Sequence, residues 1–321
     1  MWHARPNRCC FTRPDAHAEV PKDNTKADRP DRRKALVARE SARYNADIAA
    51  LSETRLAEGG QLTEKGAGYT FFWNGREQEE RREAGVGFVI KSNLVRYLTS
   101  LLKGVNDRLM PMQLPLSDKK QAAIISAYAT TITNPDEAKD RFYEKLNTLM
   151  SSVLKSDKLL VLGDFNARVR SDHEAWDGII GKNSIGKCNS NGLLLQACSS
   201  HSLIITNTLF KLAARKKTTG MHPRSKYWHM LGYVITRRAD RGDVRVTKAM
   251  CGAEWWTDHR LVVSKLDIHV KAKRRLQGNK PPSKWLNTAR PKEDSTTDNL
   301  ISDLNDKLYD LQFGDANVKE E

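Results

Sequence analysis

The stretch Lys158-Leu159-Leu160-Val161-Leu162-Gly163-Asp164-Phe165-Asn166-Ala167-Arg168-Val169 decides the fold. Its aliphatic run, closed by a glycine, has the length and composition of a strand buried on both faces. Past the strand end, Asp164 and Asn166 alternate around Phe165. Both polar groups can therefore face one way while the ring enters the core. A carboxylate next to an amide can hold a water and a phosphate oxygen together. The same residues also suit an ordinary strand end, with Asp and Asn as turn formers. The remainder of the chain separates the two readings.

Working outward, the pattern recurs. Asp47-Ile48-Ala49-Ala50-Leu51-Ser52-Glu53-Thr54-Arg55 is a second apolar strand that delivers one carboxylate, Glu53, at its end. Before it, Asp28-Arg29-Pro30 opens a helix running to about Tyr44, with proline in the first turn. After it, a Gly-rich loop precedes strands at Tyr69 to Trp73, Val86 to Lys91, Leu109 to Leu116 and Ala122 to Ala129. Asn134 and Pro135 start a helix that extends to about Leu154. A further helix near Asn191 to His201 leads into the strand Leu203 to Thr206 and then Asn207. Closing strands follow at Tyr227 to Arg237, Val244 to Ala249 and His259 to Leu266. The expected body is an α+β or α/β sandwich, not a strict alternation of strand and helix.

Residues 1–28 carry several prolines and no periodicity, and are expected to form a disordered leader. Beyond residue 268 the composition shifts to a basic linker and a short helical tail, leaving 29–268 as the folded domain. The 321 residues carry 54 basic and 39 acidic side chains, a formal net charge of +15. That sign suits a polyanion, nucleic acid before a membrane surface, and argues against small phosphorylated substrates. Five cysteines without zinc-ligand spacing point to a reduced, intracellular compartment. No apolar run approaches the roughly 20 residues of a membrane span. Lys271-Ala272-Lys273-Arg274-Arg275 hints at nuclear residence, although solvated linkers produce the same pattern.

Glu53, Asp164 with Asn166, Asn207, and Asp258 with His259 sit at the ends of separate expected strands. Oxygen ligands, a water-orienting carboxylate and phosphate donors are what a divalent-metal phosphodiesterase requires. In sequence order, LSETR, SAYA, LLVLGDFNARV, IITNTLF and WTDHRLVVSKL resemble the motifs of the endonuclease/exonuclease/phosphatase (DNase I-like) superfamily. Within it, YNADIAALSETRLA, REAGVGFVIKSNLV and MHPRSKYW are similar to endonucleases of RTE/BovB-type non-LTR retrotransposons and to craniofacial development protein 2-like sequences. The resemblance covers roughly residues 28–267.

It implies a four-layer sandwich of two packed mixed sheets, a Mg²⁺ (or Mn²⁺) cofactor and a DNA partner; the sequence leaves the oligomeric state open, with a monomer the expectation. Glu53 would be the metal ligand, with Asp258 close to the metal. Tyr128 would contact the scissile phosphate, Asp164 would position or activate water, and Asn166 would hold a phosphate oxygen. His259 would be the phosphate-binding imidazole or base. Lys216, Lys217, Arg224, Lys226 and Trp228 of the basic loop would track DNA, with Asn207 near the site. Two departures point to an impaired, binding-only relic as the alternative. The family opens with a strand ending in asparagine, and the proline-rich leader offers none, so the first strand is expected to be missing. Gly232 replaces an aspartate that orients the histidine, which would leave His259 unoriented. In serine proteases, neutralising an equivalent carboxylate lowers kcat by about 10⁴.

Overall fold

The structure is a computed structural model. It describes residues 8–12 and 30–32 by backbone, and residues 33–80, 83–117, 119–169, 174–186, 193–222, 225–253, 259–271 and Ser302 in full. The chain divides into two compact units, Met1–Ala272 and Lys273–Glu321. All described residues but Ser302 belong to the first. Apart from Ser302, the expected helical tail lies outside the described residues.

The Lys158–Asp164 run forms a strand, β8, with its aliphatic side chains divided between two cores. Leu159 and Val161 face one core; Leu160 and Leu162 face the other. A strand buried on both faces must sit between two layers, and its neighbours follow from that. β8 is the middle strand of a five-stranded sheet. Parallel to it on one side is β7 (Gln121–Tyr128), and antiparallel on the other is β12 (Gly232–Arg237). β6 (Leu109–Pro115) and β9 (Leu203–Ile205) form the edges. Helices α3 (Asp136–Ser152) and α4 (Leu193–Ser200) cover the Leu159 face through Phe142, Leu146, Met150, Leu194 and Cys198. Burial of side chains of this size contributes roughly 1.5–3 kcal/mol each. It also pushes the Cys198 thiol up to about 12, so this cysteine packs as an apolar side chain.

The second sheet has seven strands. Its centre contains β2 (Ile48–Ser52), flanked by β5 (Val86–Lys91), β4 (Tyr69–Asn74) and β3 (Gly59–Glu64) on one side. On the other side lie β1 (Arg8–Thr12), β14 (Leu261–Leu266) and β13 (Val244–Met250). Ile48, Ala50, Val86, Phe88 and Ile90 pack against Met112, Ile124, Leu160 and Leu162 of the first sheet. The opposite face buries Ala49, Leu51, Phe71 and Val89 against Val37 and Ala38 of α1 (Pro30–Arg43). The result is helix, sheet, sheet, helix. Proline occupies the first position of α1, where its missing N–H has no intrahelical partner to lose. Among the described residues, no helix is long and apolar enough to cross a membrane.

Three expectations are corrected here. The first strand is not missing: Arg8–Thr12 is β1, inside the segment expected to be a disordered leader. It runs parallel to β2 and antiparallel to β14, in register from Cys9↔Ile48 to Thr12↔Leu51. A five-residue strand has little periodicity of its own, and pairing on both edges supplies what local sequence does not. The strand RCCFT contains no asparagine, so that departure stands. Second, the Gly-rich loop after Arg55 contains the edge strand β3, whose mostly exposed residues pair along all of β4. The expected strand Tyr227 to Arg237 is two elements, β11 (Trp228–His229) and β12. β11 pairs with β10 (Gly220–Met221) in a small separate hairpin.

Candidate active site

Five elements end at one rim of the sandwich: β2, β7 and β8 by their C-termini, β12 and β14 by their N-termini. Antiparallel register puts Gly232 opposite Asp164, and parallel register puts Tyr128 beside it. At this rim the two sheets come together on small side chains. Ser52 Oγ donates to Ala127 O at 3.2 Å, and Ser126 Oγ donates to Leu51 O at 3.2 Å. Both serines are buried, and nothing bulkier than a hydroxymethyl separates the backbones. That close approach brings Tyr128 Oη of one sheet into a hydrogen bond with Glu53 Oε1 of the other.

Glu53 is 4% exposed and has φ +54, a conformation that costs a non-glycine residue about 1 kcal/mol or more. The neighbouring chain holds it there. Gly85 O accepts from Thr54 N and Ala84 O from Arg55 N, both at 3.1 Å. Gly85 itself has φ +119, and a Cβ on it would lie 2.2 Å from Thr54 Oγ1. The left-handed turn aims the Glu53 carboxylate into the rim, with Arg55 Nη2 at 3.7 Å from Oε2. Arg108 stacks over the Tyr128 ring at 5.0 Å, placing a second guanidinium beside the phenol.

Asp164 is fully buried. Its Oδ1 accepts from Asn166 N at 3.0 Å, closing an Asx turn, and its Oδ2 lies 3.6 Å from His259 Nδ1. Asn166 also has positive φ, +48, and its Nδ2 donates to Ala129 O at 2.9 Å. The ring of Phe165 between them enters the α3/α4 core, as the alternation requires. His259 is 5% exposed and sits just before β14, bridged to Gly220. A Cβ on Gly220 would lie 2.7 Å from His259 Nε2, so only glycine lets that backbone rest against the imidazole. The buried ring lies between Gly220 and Asp164, with glycine at position 232.

The structure thus brings together Glu53, Tyr128, Asp164, Asn166 and His259. Asp258 and Arg224 lie outside the described residues. Of the expected DNA-contacting residues, Lys216 and Lys226 are exposed and Trp228 is half-buried. Two others have internal roles. Lys217 is buried with Nζ donating to Asn183 O at 2.5 Å, and desolvation lowers its pKa. Asn207, 3% exposed, donates to Gly232 O at 3.2 Å and accepts from Val234 N at 2.9 Å. It continues the sheet edge with a side-chain amide. Sequence reasoning did not single out Arg108, Gly220 or Arg260 near this rim. The only sequence signal for Arg260 was its place directly after His259.

A Mg²⁺ ion needs hard oxygen ligands, one or two carboxylates completed by water and phosphate. The buried, rim-directed Glu53 carboxylate fits that requirement, with Asp164 and Asn166 offering oxygen and amide groups across the rim. Among the described residues, no group of three or more His, Cys, Asp and Glu forms a cage of its own.

Residues 9–229 match the endonuclease/exonuclease/phosphatase family. The chain is 30% identical over 238 residues to craniofacial development protein 2 of Bos taurus, covering 74% of this chain and 39% of that protein. It therefore spans about two fifths of that relative's length. Among solved structures, the Xenopus laevis APE2 catalytic domain superposes with a TM-score of 0.58 at 14% identity, covering 84% of this chain and 94% of that one. The endonuclease domain of TRAS1, a telomere-specific non-LTR retrotransposon, gives 0.52 at 12% identity, with 81% and 98% covered. At these identities the two structures share the fold with this chain.

Proposed function

We propose that this chain, which belongs to the endonuclease/exonuclease/phosphatase family, is a Mg²⁺-dependent endonuclease of retrotransposon origin that hydrolyses DNA phosphodiester bonds. The observation that carries the reading is the convergence of Glu53, Tyr128, Asp164, Asn166 and His259 on one rim. They come from separate elements, with Tyr128 hydrogen-bonded to Glu53 and His259 facing Asp164. Residues spread over most of the domain meet there. The net charge of +15 supports a polyanionic substrate.

Glu53, with Asp258, would hold Mg²⁺, and Tyr128 fixes the Glu53 carboxylate in place. The ion, when bound, supplies Lewis-acid stabilisation of charge on the phosphate oxygens. Asp164 orients the attacking water and takes its proton as the water oxygen bonds to phosphorus and the bond to the leaving sugar oxygen breaks, that oxygen leaving with the electron pair and gaining a proton from solvent. The Asn166 amide, anchored by its Nδ2 on Ala129 O, would hold a phosphate oxygen. His259 donates to a further phosphate oxygen where negative charge develops. Lys216 and Lys226 contact phosphates and do not read bases.

The deciding experiment is nicking of supercoiled plasmid by purified protein with Mg²⁺ and with EDTA, beside an Asp164→Ala control. Nicking that requires Mg²⁺ and disappears in the variant supports the enzyme. A folded protein that shifts DNA at low salt without nicking it favours the binding-only relic. A folded protein that does neither would refute both readings.

Gly232→Asp tests the role of the missing carboxylate. The residue lies directly across from Asp164 on the same face of the sheet, where two like charges disfavour one another. Because His259 is buried between Gly220 and Asp164, the expected change in nicking rate is about threefold or less, in either direction, against the roughly 10⁴ that a lost orienting carboxylate can cost elsewhere. A gain of about 100-fold would show that the imidazole tautomer is uncontrolled after all.

A further inference from the structure

Arg260 follows His259 in sequence, and its side chain gathers the loop that presses on the imidazole. Its Nη1 donates to Thr218 Oγ1 at 2.6 Å, to Arg215 O at 2.8 Å and to Thr218 O at 3.4 Å. Its guanidinium lies 3.6 Å above the centroid of the Trp228 ring, closing the far side. Its backbone N–H donates to Thr219 O at 2.6 Å. One residue therefore ties down four positions, Arg215, Thr218, Thr219 and Trp228, on both arms of the β10/β11 hairpin.

The segment so held is the one that touches the site. Thr219 N donates to His229 O at 2.7 Å, and Thr219 Oγ1 accepts from Leu231 N at 2.8 Å and Gly232 N at 2.9 Å. The next residue, Gly220, is the glycine whose Cβ would lie 2.7 Å from His259 Nε2. The far edge of the imidazole faces Asp164 Oδ2 at 3.6 Å. A shift of a few tenths of an ångström in Gly220 therefore moves the ring relative to that carboxylate.

We propose that Arg260 is a positioning residue for His259: through Trp228 and Thr218 it sets how closely Gly220 approaches the imidazole, and so couples the basic hairpin to the reacting centre. The proposal rests on the nuclease reading for its catalytic consequence, but its structural content does not. Planarity is essential, since one guanidinium must stack on the indole and donate in its own plane to Arg215 and Thr218. Lysine keeps the charge and loses that geometry. Losing the contact altogether, as in Arg260→Ala, lowers kcat by about 100-fold while ground-state binding of DNA changes little.

The test uses the full chain labelled with ¹⁵N in its eight histidines. His259→Gln identifies the His259 signal, and the imidazole ¹⁵N shifts report tautomer and hydrogen bonding. Arg260→Lys and Trp228→Ala are expected to move the His259 shifts while the other histidine signals away from the hairpin stay in place. Arg260→Ala should move them further, and the lysine variant keeps the test open if the alanine variant does not fold. Alongside, Arg260→Lys should lower kcat for plasmid nicking by about 10-fold with KM within about threefold. Unchanged His259 shifts in folded Arg260→Lys and Trp228→Ala would overturn the proposal. A protein that does not nick plasmid at all would fail the nuclease reading, and the ¹⁵N shifts would still decide the positioning role.

Discussion

Replacing Asp164 with alanine is expected to lower plasmid nicking by about 10³-fold or more, because the proposed proton acceptor and the orientation it gives the water disappear together. The environment makes the carboxylate hard to replace. Asp164 is fully buried, accepts from Asn166 N and faces His259, and its own backbone carbonyl accepts from Ala129 N at 2.9 Å. Alanine leaves the Asn166 N–H without its acceptor, a loss of about 1–3 kcal/mol, so the variant should also melt earlier. Asp164→Asn separates the two effects. An amide oxygen can still accept from Asn166 N, so stability is largely kept while the proton acceptor is gone. The asparagine variant is therefore expected to nick as poorly as the alanine variant, with a melting temperature nearer wild type. Nicking within about 10-fold of wild type in both variants, in protein free of contaminating nuclease, would remove Asp164 from the reaction.

What could be read from the sequence divides along a physical line. β8, β2 and the turns after them were legible because burial on both faces leaves a continuous apolar run. The polar residue after such a run has few places to be except the rim. Phe165 pointing inward followed from the period of two. β1 was not legible, because Cys9-Cys10-Phe11 is too short to show a pattern and its flanking prolines read as leader. Its place is fixed by β2 on one edge and β14 on the other, and β14 lies at the opposite end of the domain sequence. The internal partners of Lys217 and Asn207 were not legible for a related reason. A lysine and an asparagine in a basic or polar stretch look solvated, and only the fold reveals that Asn183 O and the β12 backbone are their partners. The orientation of His259 lies further still from sequence patterning. It depends on a glycine in another element whose one visible property is the absence of a side chain.

Gly163 is the position where that property matters most to the fold. Substitution by alanine is expected to destabilise the protein by about 3 kcal/mol or more, the upper end of the range for overpacking. In a domain of this size that lowers the melting temperature by roughly 6–12 °C. The added Cβ would lie 1.8 Å from Ala127 O and 2.7 Å from Ala127 C, backbone atoms of the paired strand β7 that no rotamer can move aside. On the other flank, Gly163 pairs with Tyr233, a fully buried ring whose hydroxyl lies 2.6 Å from Met230 O and 2.8 Å from Ala167 O, with one proton to give between them. Relief on that side would disturb the loop that carries Asn166. Separation of β7 from β8 would also move Tyr128 away from Asp164, which are register partners at the rim. Nicking by the folded fraction should therefore fall as well, which distinguishes this variant from a purely global loss of stability. Gly242→Ala is the matched control. Nothing lies within 4 Å of its Cβ, so the reduced freedom of the unfolded chain should leave stability unchanged or raised by about 0.4–1 kcal/mol. Thermal melts followed by circular dichroism measure both. If Gly163→Ala melts within about 2 °C of Gly242→Ala, the close approach of β7 and β8 is not what holds Tyr128 and Asp164 together at the site.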